Sequence, residues 1–266
     1  MNRLPLFLRM AANAGASLVL AFLVLPILAV VPASFNKASF IYLPPRAWSD
    51  IWYERFLADP EWRSSLFNSV EVATLATVIA VVIGTLAAIG LRRIDGRLRT
   101  LVTGLFLAPM IVPVIVTAVA LYRSALDVGL SGTILGMSLG HALLALPFVV
   151  INVGIALRAV DGNWLKAAAG LGAGPWTIFR TVTLPNIVPG IVGGAIFSFI
   201  TSFDEVIVAV FMAGYSSKTL PVKIWESIRL EFTPVIAVAA TVMIALAIVL
   251  FALAQIASSK AGGHTR

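Results

Sequence analysis

Six stretches of the chain are apolar for long enough to cross a bilayer: Met10–Pro32, Leu66–Leu91, Leu101–Tyr122, Thr133–Leu157, Pro189–Met212 and Val235–Ile256. A hydrocarbon core takes about 20 residues of helix to cross. None of the runs alternates apolar and polar positions as a half-buried strand does, so a helical bundle is expected rather than a barrel. The fold class is therefore an all-α membrane protein with about six transmembrane helices. The first run is too long for the apolar region of a secretory signal and shows no small-residue cleavage site, so it is expected to remain as a span.

Composition supports the same reading. Of 266 residues, 60% are hydrophobic and 12% charged, with a mean hydropathy of +1.00. Soluble domains carry about 45–50% apolar and about 25% charged residues. There is no Cys, which excludes disulfides, thiol nucleophiles and thiolate metal sites. His141 and His264 are the only histidines, too few for a His-rich metal cluster.

The net charge of +7 is distributed by topology. Lys and Arg favour cytoplasmic connections. With the N-terminus inside, eleven of the 19 basic residues fall in inside segments, among them Arg3, Arg9, Arg158, Lys166, Arg180, Lys260 and Arg266. The acids there are Asp95 and Asp161. The cluster Arg92, Arg93, Arg97 and Arg99 is the strongest single signal, and the outside segments are nearly neutral. Both termini are thus expected in the cytoplasm. The basic balance orients the chain against a lipid bilayer, and nucleic acid is not an expected partner.

Three regions follow: residues 1–65 with the first span and an outer loop, a core over 66–257, and a tail over 258–266. The outer loop, Ala33–Ser65, holds Trp48, Trp52, Tyr53 and Trp62, which suit a short helix at the membrane surface. The inner loop, 158–188, contains Asn163 as a cap for a short helix starting at Trp164, with Gly172 to Pro175 as its stop. The apolar residues Trp164, Leu165, Ala168 and Leu171 on so short a helix ask for a docking partner.

This loop resembles the EAA loop of ABC importer permeases, in which Glu-Ala-Ala is followed by Gly and then Leu-Pro. Ala167 and Ala168 match the alanines, Gly172 the glycine, and Leu184-Pro185 the closing pair. Lys166 stands where the family has glutamate. The resemblance extends to Asn68-Ser69-Val70 at the start of the second span. The stretches Ser202–Phe211 and Thr219–Ile224 are similar to spermidine/putrescine-type permeases. It implies the type I importer permease fold in a bacterial inner membrane, with Trp164, Leu165, Ala167, Ala168, Leu171 and Gly172 coupling to an ATPase. It also implies a homologous second permease subunit, an ATPase subunit dimer and a periplasmic substrate-binding protein as partners. No Walker-type loop occurs in this chain, so ATP and Mg would be bound by the partner subunits and the chain itself is not an enzyme. The implied cargo is a small organic cation or amine-bearing solute, polyamine-like, or alternatively an opine or amino-acid derivative. An ion-coupled secondary transporter is a competing reading, but such folds show internal repeats that are absent here.

Asp204 and Glu205 are the acids read as lying deep within a span, about 22 Å of helical rise beyond Pro189. An unpaired carboxylate at such depth must face water, a counter-ion or the bundle interior. On a continuous helix Ser198, Thr201, Ser202 and Glu205 share a polar stripe, and Asp204 lies off it. Thr201, Ser202, Asp204 and Glu205 are therefore the candidate substrate-pathway residues, with Glu205 preferred. Pro109 and Pro113 interrupt the third span. Val114 follows the second of these, where relatives often place an acid. Tyr122 and His141 read as packing residues, and Ala80, Gly84 and Ala88 as a close helix contact. The orientation predicts that a cysteine introduced at Arg97 reacts only with reagents that reach the cytoplasm. One at Asp50 should react with impermeant reagents added outside, and the opposite sidedness would invert the topology.

Overall fold

The structure, a computed structural model, describes residues 6–230 and 232–262, with side chains over 8–230 and 232–252. Arg3, Arg266, the side chain of Lys260, and the end of the expected 258–266 tail lie outside the described residues. Helix is the only regular structure described apart from an isolated bridge between Asn36 and Trp48.

Among the described residues there are twelve α-helices. They are α1 (Leu6–Ser34), α2 (Ile51–Ala58), α3 (Pro60–Leu91), α4 (Gly96–Leu107), α5 (Val114–Asp127) and α6 (Ile134–Ala159). After these come α7 (Gly162–Gly170), α8 (Pro175–Ile178), α9 (Leu184–Phe203), α10 (Ile207–Met212), α11 (Leu220–Leu230) and α12 (Val235–Gly262). Among the described residues five helical segments are long and apolar enough to cross a membrane, or six when a bent pair is counted as one span.

That pair corrects the expected third span. Instead of one helix over Leu101–Tyr122, α4 and α5 meet at an angle of 96°. Pro109 sits in a 3-10 turn at Ala108–Met110, and Pro113 is the residue before α5. A proline has no N–H to give a helix and disfavours helical geometry at the residue before it, so Val112 cannot carry α4 onward.

The chain divides into two compact units. One runs through Arg63 and includes Glu226–Ala245; the other is Ser64–Trp225 with the segment from Leu246 onward. In the first, α1 is exposed along nearly its whole described length, as an all-round apolar helix in lipid would be. The outer-loop aromatics pack on one another: Phe56 and Trp62 lie 5.6 Å apart, and Phe35 and Tyr53 4.9 Å. Asp59 Oδ1 accepts from the N–H of Glu61 at 2.7 Å, starting α3 six residues earlier than the apolar pattern predicts.

The second unit is organised on α6, which is buried over more than half of its most apolar stretch. Helix α9 lays Gly190, Gly194, Ser198 and Ser202, spaced four apart, against it. A Cβ on Gly194 would stand 2.9 Å from Val149 Cα, and one on Gly84 of α3 would stand 2.7 Å from Val149 Cβ. Val149 is therefore gripped by glycines from two helices. The expected Ala80–Gly84–Ala88 contact is present, with both alanines buried in the same cluster as Val149, Val153 and Ile187. Without water to drive burial, membrane helices associate through such close packing. Gly194→Val should cost about 1–3 kcal/mol through overpacking, lowering the thermal midpoint of the detergent-solubilised protein. Gly154→Ala, where a Cβ meets nothing within 4 Å, is the control. Equal midpoints for the two variants would remove the seam from its central place.

Candidate functional site

The inner loop forms a two-sided structure. Asp161, not Asn163, caps α7: its carboxylate accepts from the Asn163 N–H at 2.8 Å. The helix therefore begins at Gly162, two residues ahead of the expected start. It ends where Gly172 takes φ +83°, a conformation that glycine alone adopts without strain.

The apolar residues of α7 point two ways. Leu165 and Ala168 are half-buried, and Leu165 packs against the Val149 cluster. Trp164, Ala167 and Leu171 face outward, Trp164 at 51% and Leu171 at 89% exposure. This divides the expected single apolar face: Leu165 packs on its own chain, and Trp164 and Leu171 stay exposed. Trp176, 70% exposed and 5.6 Å from the Phe179 ring, extends the outward surface. It lies beyond the glycine stop, so the helix pattern gave no reason to select it. Lys166 is exposed.

At the other end of α9 the helix does not continue through the acids. It stops at Phe203, and α10 starts at Ile207. Glu205 Oε1 accepts from the N–H of Val208 at 2.9 Å, so its carboxylate serves the start of α10. The shared stripe with Ser198 and Ser202 therefore does not exist. Ser198 and Ser202 are buried against α6, with Ser198 Oγ donating to Ala145 O at 3.4 Å. Ser202 Oγ lies 2.9 Å from His141 Nδ1, which is also 3.1 Å from Ser202 O. These serines belong to the helix contact. Thr201 is half-buried.

Asp204 is the exposed acid of the pair and makes no ion pair among the described residues. The 20 residues of α9 give about 30 Å of rise, so Asp204 stands at the far end of the helix, not part-way along it. Its carboxylate adjoins the C-terminus of α9, where the last carbonyls carry the negative end of the helix dipole. Two sources of negative potential coincide at one break.

His141 packs as expected, almost fully buried, although its Nε2 finds no partner among the described residues. Glu71, an exposed acid in the fourth turn of α3, lies near the start of the Leu66–Leu91 run and is not among the expected site residues.

Contacts between the start of α3 and the segment before α11 join two of the resemblance segments. Asn68 Nδ2 donates to Ser216 O at 2.9 Å and Lys218 O at 2.8 Å, and Ser69 Oγ accepts from Leu220 N at 2.7 Å. The Asn68-Ser69 pair thus fixes the turn that leads into Thr219-Leu-Pro.

The sequence profile of the binding-protein-dependent transport system inner membrane component family matches residues 80–261, well over half of the chain. The chain belongs to that family. It is an ABC importer permease subunit, multi-pass in the inner membrane, and not itself an enzyme. Membership decides against the ion-coupled alternative. The permease is 35% identical over 248 residues to the spermidine/putrescine transport system permease protein PotC of Haemophilus influenzae, covering 93% of this chain and 96% of that one. It is 32% identical to the putrescine transport system permease protein PotI of Escherichia coli K12, covering 84% and 82%. A bacterial ABC transporter involved in import of the acidic polysaccharide alginate has a chain of similar fold. Its TM-score is 0.71 at 16% identity, covering 96% of this chain and 99% of that one.

Proposed function

We propose that this permease forms half of the translocation pathway for a small organic cation of the polyamine kind. The observation that carries the cation is the α9–α10 break, where the exposed Asp204 carboxylate adjoins a helix C-terminus. Broken membrane helices present such ends to cations, and attraction grows where water is scarce. The names of the PotC and PotI relatives support the same cargo class. The fold neighbour imports an acidic polysaccharide, so the architecture alone does not set the sign of the cargo; the side chains at the break do.

The partners in this reading are a homologous second permease subunit, an ATPase subunit dimer that binds ATP and Mg, and a periplasmic substrate-binding protein. Trp164, Ala167 and Leu171 dock α7 on the ATPase, with Gly172 fixing where the helix ends. Leu165 and Ala168 tie the same helix back to the permease core. Both termini lie in the cytoplasm, which puts α7 on the ATPase side. Lys166 in place of the family's glutamate reverses the sign of any ion pair made there.

Uptake of labelled spermidine by cells carrying the complete transporter tests the cargo. Asp204→Asn should reduce uptake at least tenfold at low substrate while assembled protein stays at the wild-type level. Glu205→Gln, which keeps an acceptor for the Val208 N–H, should have a smaller effect. Normal uptake by Asp204→Asn, or transport of an anionic solute in preference to spermidine, would defeat the cation assignment and leave the importer family intact.

Coupling has its own test. Leu171→Asp places a charge on an 89% exposed position and should leave membrane insertion unchanged while abolishing substrate-stimulated ATP hydrolysis of the reconstituted complex. Wild-type stimulation in that variant would move the docking surface away from α7.

A further inference from the structure

Behind α7, on the face away from Leu171, lies a cavity of about 430 Å³. Its apolar walls include Leu157 at the end of α6, Leu165 of α7, and Ile178 and Phe179 after the loop. Its polar groups are Arg92 and Arg93, just past the end of α3, and Thr183. No acid lines it. Of the acids nearby in sequence, Asp161 is already accepting from the Asn163 N–H, and Asp95 precedes α4 without contributing to the cavity.

The two arginines differ in what they have left to give. Arg92 Nη2 donates to Val160 O at 3.2 Å, which anchors its guanidinium to the end of α6. Arg93 is exposed, and although its backbone N–H donates to Gly90 O at 2.9 Å, its guanidinium makes no hydrogen bond or ion pair among the described residues. A guanidinium presents a planar fork of donors that matches phosphate oxygens, and two of them at one mouth form a site for a doubly hydrogen-bonded anion. The walls want hydrocarbon. The position supplies both at once, because α3 is an apolar helix that reaches these arginines as it ends at Leu91.

We propose that this cavity binds an acidic phospholipid from the cytoplasmic leaflet, its phosphate held between Arg92 and Arg93 and its glycerol and upper acyl carbons against Leu157, Leu165 and Phe179. The proposal rests on the orientation that puts the Arg92–Arg99 segment inside. Basic pockets between helices at that level are suited to anionic headgroups, and the volume lies in the range of about 300–1,000 Å³ common to ligand sites. A lipid seated there touches Leu165 from behind while Trp164 and Leu171 face outward. It therefore props α7 against the pull of whatever docks on its other side.

The test reads binding alone, so its outcome is independent of the cargo. Purified full-length permease in a mild detergent is titrated with phosphatidylglycerol and, separately, with phosphatidylcholine, and retained lipid is counted by native mass spectrometry. Wild type should retain one phosphatidylglycerol in preference to phosphatidylcholine. Arg93→Gln should weaken that retention about fivefold, the share of one basic residue near a headgroup. Arg97→Gln, in the same basic segment but outside the cavity lining, should leave it unchanged. Equal retention of the two lipids, equal losses in the two variants, or no loss in Arg93→Gln would each overturn the site. Displacement of the lipid by millimolar inorganic phosphate would also overturn the proposal, since the cavity would then be a site for a small soluble anion.

Discussion

The contact between α6 and α9 is the constraint on which the functional parts of the second unit depend. Val149 stands where Gly84 and Gly194 both press against it, and neither glycine has room for a methyl group. Lipid is as apolar as leucine, so the gain from bringing these helices together comes from dispersion at close range and from hydrogen bonds across the seam. Ser198 to Ala145 O and Ser202 to His141 supply the latter. One end of α9 follows the inner loop and the other leads into the acid pair, with the contact to α6 between them. The short π-helical stretch at Phe179–Thr183 lies between α8 and α9, at the entry to this seam. Such irregular turns are often found at functional positions.

Two helix interruptions divide this packed unit. At Ala108–Pro113 the cause is covalent: two prolines four residues apart prevent a straight helix. At Asp204–Val206 no proline is present. There the break is filled by polar groups, Glu205 toward the N–H of Val208 and His141 toward the last turn of α9. The two neighbouring carboxylates thus end in opposite situations. Glu205 neutralises a helix start, where negative charge is favourable, and Asp204 sits at a helix end, where it adds to negative potential already present. A carboxylate in that place is costly near lipid unless water or a cation meets it.

The short helix of the inner loop, nine residues long, divides its apolar residues between two faces. Positions three apart share a face, so Leu165 and Ala168 anchor inward while Trp164, Ala167 and Leu171 form the outward face. A helix so held stays packed on its own chain through Leu165 while Trp164 and Leu171 remain exposed. The cavity between its inner face and Arg93 is what remains when a short helix is packed at one point rather than along its whole length.

Much of this was determined by the sequence alone. The six apolar runs, the glycine that ends α7, the motif at 161–185 and the small-residue face of α3 are local patterns, set by hydropathy, by φ preferences and by four-residue spacing. They survive any tertiary arrangement that puts the chain in lipid. Other features were decided only by the tertiary structure. Ser198 and Ser202 read as a polar, water-facing stripe, yet they continue the Gly190–Gly194 face and close it against α6, because a small hydroxyl fills a helix contact as well as it lines a channel. Glu205 rather than Asp204 was selected by counting 100° per residue through a helix that stops at Phe203, and Leu165 was placed outward because apolarity on a short helix does not say which side is covered. In each case periodicity specified which residues share a face, and only the neighbour's position determined what that face meets.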